Sequence, residues 1–453
     1  MIKNDKFGII GGLSAAFYTL GCRVNQYETQ AMEEQFRNAG YEIKSFDDEC
    51  DVYVINTCTV TAESDRKSRQ IIRRTAKVKK PSSVVAVCGC YSQGKPSDIA
   101  EIDGVDLIIG NHGKTDICRL ATEYLKEKKE RLLVTDIMEA DTYEEAKITS
   151  SDRTRAFVKI VDGCENKCTY CIIPSVRGKI RSRKKEDVLD EVARLAESGY
   201  KEVVLTGIET AAYGKDFGKS DSSPLAELIS EVATVDGIER IRLGSMEPTV
   251  FTEEFVKEIA SVGKLMPHYH LSLQSGSDSI LRAMKRKYNS RQFLEVIDRL
   301  RRYIPDVQIT TDIIVGFPGE TDELYLQTEE FIGKARFAFI HIFPYSKREG
   351  TPASVMGGQC NKTEKKARVS TLEKRMLEIR REILDGFIGK TASVLLETKE
   401  DGFIDGYTPN YIKVKIPMDN GNEFTSGEII DVEISDICKD NDGIICLMGR
   451  KAQ

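Results

Sequence analysis

Short apolar runs alternate with helix-like stretches over the first quarter of the chain. The helix-like stretches include 26–38 and 62–77, where apolar residues recur with the period of an amphipathic helix. The apolar runs have the length of buried strands and read AAFYTL, YEIKSF, VYVIN, VVAVC and VDLIIG. Strands that alternate with crossover helices predict a parallel sheet. The pattern therefore predicts a small doubly wound α/β domain over residues 14–127.

The same alternation resumes after residue 155 and continues to about residue 386. Helical patterns such as 184–198 and 252–261 lie between six apolar runs, which read AFVKIV, EVVLTG, RIRLGS, YHLSL, VQITTDIIVG and FAFIHIF. Six strand–helix repeats predict an open (β/α)6 barrel, short of the eight repeats of a closed one, over residues 151–386. Active sites of such barrels lie at the carboxyl ends of the strands.

The remaining segments predict a linker and a third domain. Residues 128–150 are charged and poorly periodic, which is typical of a linker. A charged helix over 364–386 precedes short apolar runs separated by Gly, Asn and Asp. Such runs predict a small C-terminal β-barrel over residues 387–450.

Composition narrows the class of protein. The 453 residues are 40% hydrophobic and 30% charged, as in globular proteins of several domains. We find no bilayer-spanning apolar run and no signal peptide, and so expect a cytoplasmic protein without a membrane partner. Twelve cysteines in that setting favour reduced thiols that bind metal over disulfides. The net charge of −6 excludes a uniformly basic nucleic-acid binder but allows local basic patches.

Three cysteines follow the first strand of the predicted barrel in a C-x-x-x-C-x-x-C pattern. They are Cys164, Cys168 and Cys171, with Tyr170 directly before the third. A structural zinc site takes four protein ligands, whereas three thiolates suit a 4Fe-4S cluster with one iron left open. Buried or zinc-bound cysteines remain the alternative interpretation.

Three more cysteines lie just past strand ends in the first domain. Cys22 follows AAFYTL, Cys58 follows VYVIN and Cys90 follows VVAVC. Because ligands of open parallel sheets bind at the carboxyl edge, we expect these thiols to converge there on a second cluster. Core cysteines are the alternative. Cys88 competes with Cys90, but it lies inside the strand, so we favour Cys90.

The triplet around Cys164 resembles the signature of the radical S-adenosylmethionine (SAM) enzymes. The resemblance implies that the open iron binds the amino and carboxylate groups of SAM, and that an electron from the cluster cleaves SAM to a 5′-deoxyadenosyl radical. It further implies SAM contacts at the strand ends: backbone at Gly207 with the methionyl amino group, Glu247 with the ribose, and Tyr170 near the adenine. Gln274 is a further polar candidate.

Three motifs of the first domain resemble the N-terminal domain of the methylthiotransferases. They read TLGCRVNQYET, INTCTVT and GCYSQ. The resemblance implies that Cys22, Cys58 and Cys90 hold an auxiliary 4Fe-4S cluster that takes part in sulfur delivery. The C-terminal module resembles the TRAM domain, an RNA-binding barrel. The whole chain thus resembles a radical SAM methylthiotransferase, which implies two uses of SAM, a tRNA anticodon stem-loop as partner, an electron donor and a sulfur source.

The motifs are most similar to the family members that add a methylthio group to C2 of N6-threonylcarbamoyladenosine at position 37 of tRNA. Arg23 departs from them, because Lys is frequent at that place. Isopentenyladenosine in tRNA and a ribosomal-protein aspartate remain alternative substrates. A non-catalytic iron–sulfur RNA-binding protein is the alternative from another class.

Two basic stretches, a pair of histidines, and a group of two tyrosines and an asparagine complete the set of candidate functional residues. The first stretch is the helix over 63–80, a candidate phosphate-contacting face, with an ordinary solvated surface helix as the alternative. The second suits a polyanionic substrate and comprises Arg177, Lys179, Arg181, Arg183, Lys184 and Lys185. His268 and His270 share one strand face, where we expect hydrogen-bonded barrel-interior histidines. Tyr407, Asn410 and Tyr411 are candidates for contacts with unpaired bases.

Overall fold

The computed structural model of the protein describes residues 12–128, 132–149, 154–218, 223–418 and 423–452. The first domain is a parallel sheet of six strands in the order β2-β1-β3-β4-β5-β6, with helices on both faces. Its elements are β1 (Ser14–Thr19), α1 (Arg23–Asn38), β2 (Glu42–Ile43), β3 (Val52–Thr57), α2 (Ala62–Val78), β4 (Val84–Gly89), α3 (Cys90–Gly94), α4 (Pro96–Ala100), β5 (Leu107–Ile109), α5 (Ile117–Lys126) and β6 (Leu132–Leu133). The prediction of a doubly wound domain is confirmed.

The central strands of this sheet are buried on both faces. Every residue of β3 and β4 is buried, because helices cover the sheet above and below. The segment 128–150, which sequence patterns assign to a linker, contributes β6, which pairs with β5. Ile148 of the same segment is fully buried against Tyr27 and Phe157.

The second domain is one curled sheet with helices along its outside. Strands β10-β9-β7-β8 and β11-β12-β13 form two hydrogen-bonded groups, and bridges at Ile241–Leu265 and Met246–Leu271 join them. Its elements are β7 (Arg155–Asp162), α6 (Ile173–Arg177), β8 (Arg181–Ser182), α7 (Lys185–Glu197), β9 (Glu202–Gly207), α8 (Pro224–Val232), β10 (Arg240–Leu243), α9 (Glu253–Ala260), β11 (His268–Gln274), α10 (Asp278–Ala283), α11 (Ser290–Tyr303), β12 (Gln308–Val315), α12 (Asp322–Ala335), β13 (Phe339–Pro344) and α13 (Lys362–Asp385). Only the short β8 is antiparallel to its neighbour, so the predicted open barrel of six parallel strands is confirmed.

The two faces of this curled sheet differ in chemistry. The outer face packs against the helices and places Val158, Leu271 and Ile313 in the main apolar core. The inner face carries the alternate residues of the same strands, among them Thr310 and Asp312 on β12, which are only partly buried. Polar side chains on the concave face leave room for a ligand there.

The first domain docks on the inner face. Tyr27 and Ala31 of α1 pack against Phe157 of β7 and Val204 of β9, forming a small apolar cluster apart from the main core. The amino end of α1, which carries Cys22, therefore lies at the opening of the barrel.

The third domain is a closed barrel of five strands in the order β14-β15-β16-β18-β17. These are β14 (Thr391–Glu400), β15 (Phe403–Tyr407), β16 (Lys413–Pro417), β17 (Ile429–Lys439) and β18 (Ile445–Lys451). Helix α13 leads into it, and Arg380 of α13 donates to the carbonyl of Ala338 at 2.8 Å and of Ile445 at 2.9 Å. The predicted C-terminal barrel is confirmed. None of the helices in the described ranges combines the length and apolarity needed to cross a membrane.

Candidate active site

Three thiols meet at the carboxyl edge of the first sheet. Cys22 precedes the first turn of α1, Cys58 directly follows β3, and Cys90 begins α3 directly after β4. Gly21 allows the first two loops to approach: its φ is +103°, and a Cβ there would lie 2.9 Å from the sulfur of Cys58.

The electrostatics show that these thiols act on one another. Desolvation raises the pKa of Cys58 to about 11, and the neighbouring Cys90 and Cys22 raise it further. Desolvation also raises the pKa of Cys22; Arg177 opposes this effect and Cys90 adds to it. Crowded thiols of this kind ionise readily only when a cation joins them, and three sulfur donors with one open position fit a 4Fe-4S cluster.

Arg177 contacts this group of thiols, whereas Cys88 lies apart from it. The Nε of Arg177 donates a hydrogen bond to the sulfur of Cys90 at 3.2 Å. Cys88 is fully buried in the apolar core of the sheet, where desolvation raises its pKa to about 12. Of the two candidates, Cys90 is therefore the one that lies with Cys22 and Cys58.

The second triplet forms a tight loop after β7. Gly163 precedes Cys164 with a φ of +75°, and a Cβ there would lie 1.8 Å from the carbonyl oxygen of Lys179. The Cys171 amide donates to the carbonyl of Cys168 at 3.2 Å, which closes the loop on itself. Desolvation raises the pKa of Cys164 to about 11 and of Cys171 to about 12, and Cys168 raises both further. This sulfur-only donor set also fits a cluster with one open iron.

Arg286 is a residue of this site that the sequence patterns did not single out. It donates to the sulfur of Cys168 at 3.1 Å and forms an ion pair with Glu247 at 2.9 Å. In the sequence it lies in the run MKRK, which resembles an ordinary basic surface turn. Only the tertiary structure brings its guanidinium to the triplet.

Two carboxylates meet at the ends of β9 and β10. The Glu247 amide donates to the Oε1 of Glu209 at 3.0 Å, and both side chains are buried. Burial raises the pKa of Glu209 to about 7, and Glu247 raises it further. Both carboxylates also raise the pKa of Cys164, so they lie close to the triplet. Gly207, the last residue of β9, lies on the same rim.

The other two candidate SAM contacts also lie at strand ends. Tyr170 packs edge-to-face on Phe317, with 6.5 Å between ring centroids. Its pKa is raised well above the usual value, mainly by burial, while Arg286 lowers it and Cys168 raises it. Gln274 ends β11 in the left-handed region with a φ of +74°. The arrangement leaves Tyr170, Gly207, Glu247 and Gln274 around one end of the barrel.

The three arginines of the basic run after the triplet are internal, which corrects the expectation that the whole run faces a polyanionic substrate. Lys179 and Lys184 are exposed, and Lys185 is partly buried. Arg177 and Arg183 are fully buried, and Arg181 is 5% exposed. Their charges are neutralised inside the protein, for example by an ion pair between Arg183 and Glu191 at 2.8 Å. Alternating cations are typical of an exposed segment, but these buried arginines form ion pairs with acidic residues distant in the chain.

Glu28 of α1 is the centre of a buried charge network between the first two domains. It pairs with Arg177 at 2.5 Å, Lys114 at 2.5 Å and Lys159 at 2.8 Å. Burial would raise its pKa, but Arg177 and then the two lysines outweigh burial and hold the pKa well below its usual value. Asp162 supplies a second carboxylate, 2.6 Å from Lys159.

The inner face of the barrel carries a group of polar side chains. As expected, His268 and His270 are hydrogen-bonded there: both bond to the Oγ1 of Thr310, at 3.1 Å and 3.0 Å. The other nitrogen of His270 lies 3.2 Å from Asp312. His341, which the sequence patterns missed, lies opposite Asp312 on β13 and is exposed.

The tyrosines of the C-terminal barrel serve a contact within the molecule, which corrects the expectation that they stack on RNA bases. Tyr411 lies between Tyr407 and His268, with centroid distances of 4.8 Å and 4.7 Å. Arg242 adds a cation over the Tyr411 ring at 4.9 Å. Asn410 is buried and donates to the carbonyl of Asp306.

Helix α2 presents the expected basic face. Its outward residues line a shallow groove of about 410 Å³ and comprise Arg66, Arg69, Gln70, Arg73, Arg74 and Lys77. Arg66 pairs with Glu63 within the helix, and Arg74 pairs with Asp47. Arg73 and Lys77 are exposed, so their charges face solvent.

Comparison with protein families gives two matches. Residues 158–332 match the Radical SAM superfamily, and residues 14–110 match a family described as Uncharacterized protein family UPF0004. The threonylcarbamoyladenosine tRNA methylthiotransferase MtaB of Bacillus subtilis is 41% identical and covers 93% of each chain. The protein of the same description from Thermotoga maritima is 38% identical over 90% of this chain and 92% of its own.

More distant relatives extend the comparison. The tRNA-2-methylthio-N(6)-dimethylallyladenosine synthase of Staphylococcus haemolyticus is 34% identical over 96% of this chain and 85% of its own. Among solved structures, the radical S-adenosylmethionine methyltransferase TsrM from Kitasatospora setae shares the fold, with a TM-score of 0.57 at 15% identity over 76% of this chain and 77% of its own.

Proposed function

This chain belongs to the radical SAM methylthiotransferase family, and we propose from that premise that it adds a methylthio group to C2 of N6-threonylcarbamoyladenosine at position 37 of tRNA. One structural observation carries the proposal. Helix α6 begins two residues after Cys171 and ends at Arg177, whose guanidinium contacts Cys90. One short helix thus joins two separate triplets of thiols, as a reaction with two sulfur-bound centres requires.

The two triplets are the ligands in this proposal. Cys22, Cys58 and Cys90 would hold the auxiliary 4Fe-4S cluster, and Cys164, Cys168 and Cys171 would hold the cluster that binds SAM. When bound, the clusters and SAM supply the one-electron chemistry, the methyl group and the sulfur atom. An electron donor and a sulfur source complete the reaction.

The surrounding residues bind and orient. Arg177 and Arg286 each donate to one cysteine sulfur, at 3.2 Å and 3.1 Å, and so stabilise negative charge there. At the barrel end, Glu247 and the backbone of Gly207 would take the polar groups of SAM, and Tyr170 would form an apolar wall at its base. Gln274 would add a polar contact. Glu209 holds the backbone of Glu247 in place.

The RNA contact is proposed on the basic face of α2, which begins four residues after Cys58. Phosphate contacts there would orient an anticodon stem-loop towards the auxiliary thiols. The target adenosine must leave its stack, which costs a few kcal/mol and less in an unpaired loop. A tRNA substrate makes the cytoplasm the site of action.

The deciding experiment is mass spectrometry of tRNA nucleosides from cells with and without this gene. We expect the methylthio form of threonylcarbamoyladenosine to disappear with the gene. It should return with the wild-type gene but not with Cys164→Ala. Loss of methylthiolated dimethylallyladenosine instead would reassign the substrate to that of the Staphylococcus relative. Persistence of every methylthio nucleoside would overturn the tRNA function.

A further inference from the structure

Three arginines surround the inner face of the barrel, and two of them are neutralised. Arg155 forms an ion pair with Glu397 at 2.7 Å, and Arg242 forms one with Glu202 at 2.7 Å. Both also cover the ring of Tyr411, each at 4.9 Å. These two cations are therefore committed to the contact between the barrel and the C-terminal domain.

The third arginine, Arg23, is not neutralised in this way. It is the first residue of α1, directly after Cys22, and its guanidinium lies 5.7 Å from the ring centroid of Phe157. Within the described ranges it makes neither an ion pair nor a hydrogen bond. A partly buried guanidinium without an anionic partner is an arrangement that a bound anion stabilises.

Arg23 also acts electrostatically on His341, which lies on β13. Burial is the main cause that lowers the pKa of His341; Asp312 opposes burial, and His270 and then Arg23 lower the pKa further. His341 itself is exposed on the inner face, beside the rings of Phe339 and Phe343. Arg23 covers Phe157 of β7, and His341 belongs to β13, so both side chains present N–H donors on the concave face of the barrel.

The neighbouring carboxylate does not fill this role. Asp312 is held by His270 at 3.2 Å, and the ring of His270 lies 5.8 Å from that of His341. His270 is fixed in turn by Thr310. Asp312 is thus paired with His270, and its carboxylate also lies within 4.8 Å of a ring nitrogen of His341. Arg23 is therefore the cation of this group that remains available for a second anion.

The proposed substrate carries a matching group. The threonylcarbamoyl substituent ends in a carboxylate, whereas a dimethylallyl substituent is wholly apolar. We propose that Arg23 and His341 bind the carboxylate of the threonylcarbamoyl group and so select the nucleoside; this inference rests on the proposed function. A substrate without the carboxylate would leave Arg23 partly desolvated and unpaired, and such unpaired groups are the strongest basis for rejecting an analogue.

The test uses the full-length holoenzyme and anticodon stem-loop RNAs that differ in one group. One RNA carries threonylcarbamoyladenosine as the free acid, one its neutral methyl ester, and one dimethylallyladenosine. Dissociation constants come from fluorescence anisotropy, and kcat/KM from nucleoside mass spectrometry. We expect the wild type to prefer the acid over the ester by about 10- to 100-fold, as is usual for a charged hydrogen-bonding partner.

Arg23→Gln and His341→Asn should each bring the acid-to-ester ratio close to one, mainly by weakening binding of the acid. Arg23→Lys keeps the charge and should retain most of the preference. His112→Asn, a half-exposed histidine of the first domain, serves as the matched control and should leave the ratio unchanged. Iron content and circular dichroism confirm that each variant is folded.

The outcomes separate this inference from the function on which it rests. If the wild type methylthiolates the acid RNA while both variants keep the full preference, the assignment of Arg23 and His341 is wrong and the function stands. If the wild type does not act on the acid RNA, the function itself fails. The ligand atoms of His270, Asp312 and His341 lie within 4.8 Å of one another, so the assay is repeated after EDTA treatment. A preference abolished by EDTA would overturn direct binding in favour of a bridging cation.

Discussion

Cys88 and Cys90 are two positions apart in the chain, but their surroundings in the fold are entirely different. Cys90 stands at the sheet edge against Arg177, whereas Cys88 is sealed in the apolar core. We expect Cys90→Ala to lose about half of the cluster iron and all methylthiolation, while SAM cleavage continues at the other site.

Cys88→Ala is the matched control for that variant. It should keep its iron and cost only stability, about 1 to 2 kcal/mol for a small buried side chain. Iron analysis and EPR of both reconstituted proteins provide the measurement. Equal iron loss in the two variants would refute the assignment of Cys90.

Arg286 donates to the sulfur of Cys168 at 3.1 Å. Hydrogen bonds to ligand sulfur raise the reduction potential of an iron–sulfur cluster because they stabilise the more negative, reduced state. Arg286→Gln should therefore lower the potential, as measured by EPR-monitored redox titration. Lys287→Gln, which changes the adjacent cation that bonds Asn166 at the surface, should leave the potential unchanged.

For individual residues, the sequence predicts the candidate cluster cysteines better than it predicts the residues that contact their sulfur atoms. Cysteines placed after strand ends converge because parallel strands bring their carboxyl ends to one edge, so Cys22, Cys58 and Cys90 could be grouped in advance. Arg177 and Arg286 could not be assigned, because their contacts with sulfur depend on how distant segments pack. Burial of Arg183 has the same cause: its partner Glu191 lies on a helix that packs across it.

Among the helices, α2 provides the test of RNA binding. Arg73 and Lys77 are exposed on its basic face, one turn apart. Replacing both by Gln should weaken tRNA binding by about tenfold at moderate salt. It should also reduce the slope of log K against log salt by roughly one to two units, since each phosphate contact contributes about 0.9. Lys126→Gln, on the exposed side of α5, is the control, and an unchanged salt slope in the double variant would exclude α2 from the interface.

His268, whose ring stacks on Tyr411, makes the contact between the barrel and the C-terminal domain sensitive to pH. Burial lowers the pKa of His268 well below its usual value, and Arg242, His270, Arg23 and Arg155 lower it further. The unfolded chain therefore takes up a proton near pH 6.5 that the folded chain does not. The stability that neutral His268 contributes should therefore be present in full above about pH 7 and be lost below pH 6.5, by up to roughly 1.4 kcal/mol per pH unit. Glu209, whose pKa burial raises to about 7, acts in the opposite direction over part of the same range.

Thermal unfolding between pH 7.5 and 5.5 measures this effect. His268→Gln should remove this contribution even if it lowers the melting temperature throughout, since Gln does not titrate. Relative to its own value at pH 7.5, the variant should therefore lose less stability at pH 5.5 than the wild type does. His112→Asn should leave the dependence as it is. An identical pH dependence of the wild type and of His268→Gln would contradict the role of His268.

The elements themselves were largely readable from hydrophobic periodicity, and the exceptions have physical causes. Strand β6 is only two residues long and lies in a charged segment, so no periodicity marks it; pairing with β5 alone creates it. The five-residue helices α3 and α4 are too short to show a period. The use of Tyr411 at a domain contact could not be read from sequence, because a tyrosine in a turn has the same pattern whether it faces RNA or protein.

At the scale of the whole molecule, the two thiol-bearing domains are held together by charge as much as by apolar contact. The apolar cluster between them is small, whereas Glu28 gathers three cations from the loop before α5, from β7 and from α6. Breaking a buried network by removing one partner is costly, because the charges left behind are desolvated. The same network positions Arg177 against Cys90.

Glu28→Gln should therefore affect stability and chemistry together. The substitution keeps the size of the side chain but leaves Arg177, Lys114 and Lys159 with Asp162 as their nearest remaining carboxylate, and we expect a loss of about 3 to 5 kcal/mol. Calorimetry should show unfolding shifted several degrees lower, and the auxiliary iron should be lost first, because Arg177 is no longer held. Arg37→Gln, which removes an exposed ion pair on the same helix, should change neither property by more than about 0.5 kcal/mol. Loss of stability with intact auxiliary iron would show that the network holds the domains together without supporting the cluster.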